Sequence, residues 1–122
     1  MPTEARRIAW SDLPQDRPMD RIARRRIIAE HMMVSEVRLE PGFDLASHAH
    51  ANEQLVVMLQ GRCLFGLGEP GTPAYRETEL RTGEVLVLPP NVPHSCRALE
   101  PSHILDLFSP PSATTGVDRP TH

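Results

Sequence analysis

The sequence contains no lysine; all 13 of its basic side chains are arginine, which we read as a coding preference of the source rather than a physical device. Aromatic residues are scarce at 4%, and there are only two cysteines. Each shortage narrows the possibilities. No stretch approaches the roughly 18 apolar residues of a bilayer span, so neither a transmembrane helix nor a membrane partner is expected. Cys63 and Cys96 form no CxxC pair and no zinc-ribbon spacing, and no signal-peptide pattern opens the sequence. Reduced thiols in a cytoplasm are therefore expected rather than a disulfide framework. The one basic cluster is Arg24-Arg25-Arg26, with Arg21 just before it. It has no interleaved aromatics and sits in a chain of net charge -3, which argues against a nucleic-acid partner and for a strand start with solvated arginines.

What is abundant is turn chemistry. The 122 residues carry 13 prolines and 7 glycines, enough for one domain with a modest core and many short elements. Residues 1–23 read as an irregular arm, with Pro2, Pro14 and Pro18 and scattered apolar anchors at Ile8, Trp10 and Leu13. From Arg24 onward, RRRII and MMVSEVRLEPG read as two strands, with Met33, Ser35, Val37 and Leu39 on one face and Pro41-Gly42 as the stop. A helix over 19–34 is the alternative, weakened by the alternation and the Pro-Gly turn that follow. An extended piece through His48 and His50 leads into a strand from Gln54 to Leu59 and a turn at Gly61. Further strands are CLFGLG, AYRETEL, EVLVL (a buried strand by its unbroken apolar run) and HILDLF. Residues 111–122 read as a mobile Pro-rich tail. Eight or so short strands at this spacing predict an all-β sandwich or barrel over 24–110.

Chemistry concentrates in SHAHANEQLVVMLQGR (47–62). Side chains at i and i+2 of an extended chain share a face. His48, His50 and Gln54 would then lie together above Val56 and Met58, with Glu53 facing away. Two imidazoles one residue apart can converge on a divalent ion. By itself the pair is explained equally well by a loop with two surface histidines.

The intervals around it are more specific. Five residues separate Gly42 from His48, three separate His50 from Gln54, and six separate Gln54 from Gly61. Later, Gly83 is followed by Pro89, Asn91 and His94 at matching intervals. The two units resemble the paired motifs of the cupin superfamily, G-x5-H-x-H-x3-E-x6-G and G-x5-P-x-G-x2-H-x3-N. The resemblance implies an all-β fold, a cupin double-stranded β-helix (jelly-roll) barrel. It also implies one divalent transition metal (Zn, Ni, Mn, Fe, Co or Cu) held by His48, His50, Gln54 and His94. Three positions depart from the pattern: Gln54 for Glu, Asn91 for Gly and Ala98 for Asn. Asn91 suits a left-handed position after Pro90. Gln54 leaves the metal's charge unneutralised by its ligands, which favours an anionic ligand and Lewis-acid polarisation.

HANEQLVVMLQGR, VLPPNVPH and LDLFSPP further resemble small single-domain cupins that linearise 4,5-unsaturated monouronates in pectin and alginate breakdown. In that group an aspartate matching Asp106 acts with the metal, and an arginine shortly after Phe-Ser-Pro holds the substrate carboxylate. Here that position is Ser112, and the next arginine is Arg119. Arg62, Arg97 and Arg38 are the replacements considered. Asp106 reads either as a cavity general acid or base, or as a carboxylate tied to a turn or an arginine. Cys96 reads as a buried thiol near the metal, Met32, Met33 and Met58 as core or cavity wall, and Tyr75 and His103 as possible ligand contacts. The expected function is a metal-dependent isomerase, lyase or cyclase acting on an anionic or carbonyl-bearing small molecule. Unsaturated uronates or related sugar acids are the first candidates, with aromatic polyketides also considered. A metal-dependent dioxygenase and a non-catalytic binding or sensor cupin are the alternatives. A homodimer is expected by family resemblance.

Overall fold

The computed structural model describes residues 4–118. Nine strands form: β1 (Ile22–Ile28), β2 (Met33–Leu39), β3 (Asp44–His48), β4 (Glu53–Gln60), β5 (Arg62–Leu67), β6 (Arg76–Arg81), β7 (Val85–Leu88), β8 (His94–Ala98) and β9 (Ser102–Ser109). They build two antiparallel sheets, ordered β1-β2-β9-β4-β7 and β3-β8-β5-β6, the two faces of a jelly-roll barrel. The strand pattern over 22–39 prevails over the helical alternative because β2 alternates: Met33, Val37 and Leu39 are buried with Ser35 on the same face. On β4, Gln54, Val56 and Met58 are likewise buried while Glu53 is exposed. Phe43, Phe65, Leu67 and Leu80 complete the core between the sheets, each buried side chain contributing roughly 1.5–3 kcal/mol. Asn91 has φ 66, the left-handed position expected of it.

Several expectations are corrected. EVLVL is not a buried strand: β7 lies at a sheet edge, with Leu88 buried but Val85 and Val87 52% and 59% exposed. Its apolar run serves two faces, of which only one meets the core. The chain after His94 forms β8, hidden from sequence reading because HSCRA lacks an apolar alternation. Met32 is exposed, in the bend before β2, not core. Arg24 is not solvated; it is 3% exposed, on the inward face of β1.

The two flanking segments meet at this arginine. The arm lies along β1 through a backbone bridge in which the Asp16 and Arg24 amides each donate to the other's carbonyl at 2.8 and 2.9 Å. At the other end, Thr115 and Gly116 are buried, and a 3₁₀ turn at Gly116–Asp118 lies over the barrel mouth. The expected mobile tail thus makes specific contacts as far as Asp118; Arg119 lies outside the described residues, as does Pro2 of the arm.

Candidate metal centre

Three histidines converge from two strand ends and the loop that joins β3 to β4. His48 closes β3 and is paired in register with His94, the first residue of β8. His50 lies in the loop just before β4 and is buried. One ligand nitrogen from each lies within 4.8 Å of the others. The orientation of each ring is fixed in the same way. Nδ1 of His48 faces the Ala46 carbonyl at 2.9 Å, that of His50 the Asn52 carbonyl at 3.0 Å, and that of His94 the Val92 carbonyl at 2.9 Å. A carbonyl oxygen only accepts, so each Nδ1 carries the proton and each Nε2 is left as a lone-pair donor suited to a metal. Burial, with a smaller contribution from the two neighbouring histidines, pushes His94 down to about 4, so its imidazole is neutral at physiological pH.

Gln54 approaches the cluster from β4. Its amide nitrogen donates to Oδ1 of Asp106 on β9 at 3.1 Å, and its Oε1 faces Nε2 of His50 at 3.1 Å. The Asp106 carboxylate, as an acceptor, sets the amide's orientation. Both atoms of the second contact are then acceptors. Lone pairs at that separation repel unless a cation, a proton or a metal ion, lies between them. Three imidazole nitrogens and an amide oxygen around such a point fit a divalent transition metal.

The cavity beside the histidines is lined by Gln54, Val56, Ser35, Asp106, Phe108 and Arg24, among others. Asp106 is pushed up to about 6 by burial, against the opposing pull of the Gln54 hydrogen bond and the Arg24 charge. Of the two readings of Asp106 the cavity position holds, with Ile104, Asp106 and Phe108 all lining the cavity, and Glu53 is exposed on the far side of β4 as expected. Cys96 lines the same cavity, while Cys63 is fully buried with its Sγ 3.5 Å from Ser102 Oγ. Other expectations do not converge here. Tyr75 donates to Glu77 on the outer surface, and His103 Nε2 lies 2.7 Å from Glu36 Oε2, away from the cavity. None of the three arginines considered lines it: Arg38 is 59% exposed, Arg62 pairs with Glu79 and Glu100, and Arg97 is exposed. The arginine that does line it is Arg24. Position in a basic triplet concealed it, although inward alternation from Ile22 would have placed it on the buried face.

A double-sheet barrel with a three-histidine centre at its mouth is the architecture of a metal-binding cupin. Residues 35–108 match the family model described as Cupin domain, and the chain belongs to this family. Among solved structures it is similar to KdgF from Halomonas sp., with 23% identity, a TM-score of 0.79, and 90% of this chain and 97% of that one covered. A RmlC-like cupin from Shewanella frigidimarina is similar at 16% identity and TM-score 0.79, covering 90% and 95%. Oxalate decarboxylase of Bacillus subtilis, described with Mn(II) centres, matches at 20% identity and TM-score 0.76; this chain spans 88% of itself but 30% of that protein. No curated protein matches the sequence.

Proposed function

We propose that the chain is a metal-dependent small-molecule enzyme of isomerase, lyase or cyclase type, with His48, His50, His94 and Gln54 as metal ligands and Asp106 as the group that moves a proton. The observation that carries this reading is the Gln54 amide, whose oxygen faces His50 of the cluster while its nitrogen holds Asp106. A divalent ion held there would polarise a carbonyl or hydroxyl oxygen of the substrate. Gln54, hydrogen-bonded to Asp106, orients its carboxylate within the same cavity. Asp106, raised toward neutrality by burial, accepts a proton from a substrate hydroxyl or an activated carbon and returns it on the far side of the reaction. Val56 and Phe108 exclude bulk water from the same space. A ligand set without a carboxylate would leave the metal's charge uncompensated, which favours anionic, carbonyl-bearing substrates. The sequence resemblance to uronate-linearising cupins makes unsaturated uronates and related sugar acids the first class to test. In a turnover assay on an unsaturated monouronate, metal-loaded protein should act well above background and Asp106→Asn about 100-fold more slowly. No rate above background, with Asp106→Asn equal to the parent, would remove this reading.

We also propose that two copies pair through the β7 edge. Val85 and Val87 on that strand, with Leu59 on β4, leave an apolar strip exposed at an unpaired sheet edge. A short strip on one edge strand is self-complementary about a two-fold axis, and pairing removes the open edge.

A further inference from the structure

Four polar side chains run in a line across the inner face of the larger sheet. Gln54 on β4 and Asp106 on β9 are hydrogen-bonded neighbours. Asp106 is directly opposite Ser35 on β2, and Ser35 lies one step diagonally from Arg24 on β1, which is opposite Val37. All four line the cavity. The line begins at the metal ligand and ends at a guanidinium about three strand spacings away, ~14 Å between backbones.

Two features of the far end point beyond packing, an unpartnered hydroxyl and a buried guanidinium. Ser35 is 2% exposed, yet its Oγ has no hydrogen-bond partner among the described residues. A buried hydroxyl without a partner costs stability, so its retention on a cavity wall points to a ligand atom that satisfies it. Arg24 is as deeply buried, and its charge is met entirely by the two flanking segments. It donates from Nε and Nη2 to Asp16 at 3.1 and 2.8 Å, and from Nη1 and Nη2 to Asp118 at 2.9 and 2.8 Å. The Asp118 contact is a bidentate fork on a carboxylate, the geometry by which an arginine recognises a carboxylate ligand.

The turn that carries Asp118 also walls the cavity. Thr115, Gly116 and Val117 of its turn line the cavity, and Gly116 packs so closely on His48 that any side-chain carbon there would collide with the imidazole. The same turn that delivers a carboxylate to Arg24 therefore covers one histidine of the metal centre.

We propose that Arg24, with Ser35 beside it, is the carboxylate-binding end of the cavity, and that Asp118 is a tethered carboxylate that occupies it until an anionic ligand takes its place. Exchange at Arg24 frees the turn at Gly116–Asp118 and uncovers His48, so a ligand carrying both a carboxylate and an oxygen donor gains access to the metal centre. Asp16 keeps its fork to Arg24 throughout and holds the guanidinium in place. The inference rests on the cavity being a substrate site and names the group that selects the substrate.

The test is calorimetric titration of galacturonate and of galactose, which lacks the carboxylate, into the parent, Asp118→Asn, and Asp118→Asn combined with Arg24→Lys. Each titration is run on metal-loaded and on chelated protein. Removing the tethered competitor should tighten galacturonate binding by about tenfold or more in both forms. Galactose should bind none of the three proteins measurably, and the double variant with Arg24→Lys should lose the gain. In nitrogen-15 spectra of the parent, galacturonate but not galactose should shift the amides of Thr115 to Asp118. If Arg24→Lys fails to fold, the comparison of Asp118→Asn with the parent decides alone. Galacturonate affinity in Asp118→Asn equal to or below the parent's, including no binding by either, overturns the proposal, as does equal binding of galactose. Loss of metal or of turnover would instead strike the enzymatic reading, because the Asp118→Asn gain is measured without metal as well.

Discussion

The side-chain amide of Gln54 donates to Oδ1 of Asp106 at 3.1 Å, joining the side chain whose oxygen faces His50 to the carboxylate proposed to move a proton. The contact gives one physical reason for glutamine at this position. A glutamate would still offer an oxygen to the cluster, but it would set a second negative charge against Asp106 and remove the donor that orients it. We expect Gln54→Glu to retain metal, judged by elemental analysis, while turnover falls by about tenfold or more. Unchanged turnover would show that the amide does not serve Asp106.

The Arg24 cluster makes stability depend on acid in a direction that can be worked out. The Arg24 hydrogen bonds hold Asp16 below the usual carboxylate range. Burial pushes Asp118 upward, but the Arg24 and Thr115 hydrogen bonds outweigh it and leave that carboxylate low as well. Arg26, 3.9 Å from Asp16, adds to the same field. Both groups have folded values below their unfolded ones. Their contribution is complete above about pH 4, the ordinary carboxylate value, and is lost as pH falls through the lower folded values. Urea midpoints of chelated protein should therefore drop on acidification below about pH 4. The drop should be smaller in Asp16→Asn/Asp118→Asn, whose midpoint near neutrality is already lower.

Removing the other partner has a larger effect. Arg24→Met leaves Asp16 and Asp118 facing one another without a counter-charge, with Asp118 mostly buried. Breaking a buried pair in this way costs about 3 kcal/mol. We expect a correspondingly lower urea midpoint, substantially restored when Asp16→Asn and Asp118→Asn are added.

The exposed strip on β7 gives a test of assembly. Val87→Glu placed with Val85→Lys should leave the fold intact, because both side chains point to solvent within one chain. Light scattering should then report a monomer where the parent is a dimer. A parent that is monomeric at micromolar concentration contradicts pairing through this edge.

Much of this molecule was legible in its sequence, for identifiable reasons. The histidine cluster was legible because the intervals around His48, His50 and His94 resemble the paired cupin motifs, and strand periodicity turns Gln54 and Asp106 inward. β7 misled because a continuous apolar run does not say whether its second face meets a core or solvent. Arg24 was missed because a triplet of arginines reads as solvated, whereas its burial depends on Asp16 and Asp118, the latter 94 residues away. The contacts of Thr115, Gly116 and Asp118 were equally hidden, since they rest on that long-range ion pair and on the fit of a glycine against His48 rather than on any local pattern.

The central claim is that the three histidines hold a metal, and elemental analysis of protein purified without chelators tests it most directly, with His94→Ala alongside. The structure predicts about one equivalent of a divalent transition metal in the parent and less than about a tenth of that in His94→Ala. Metal well below one equivalent in the parent, or an undiminished content in the variant, would contradict the account.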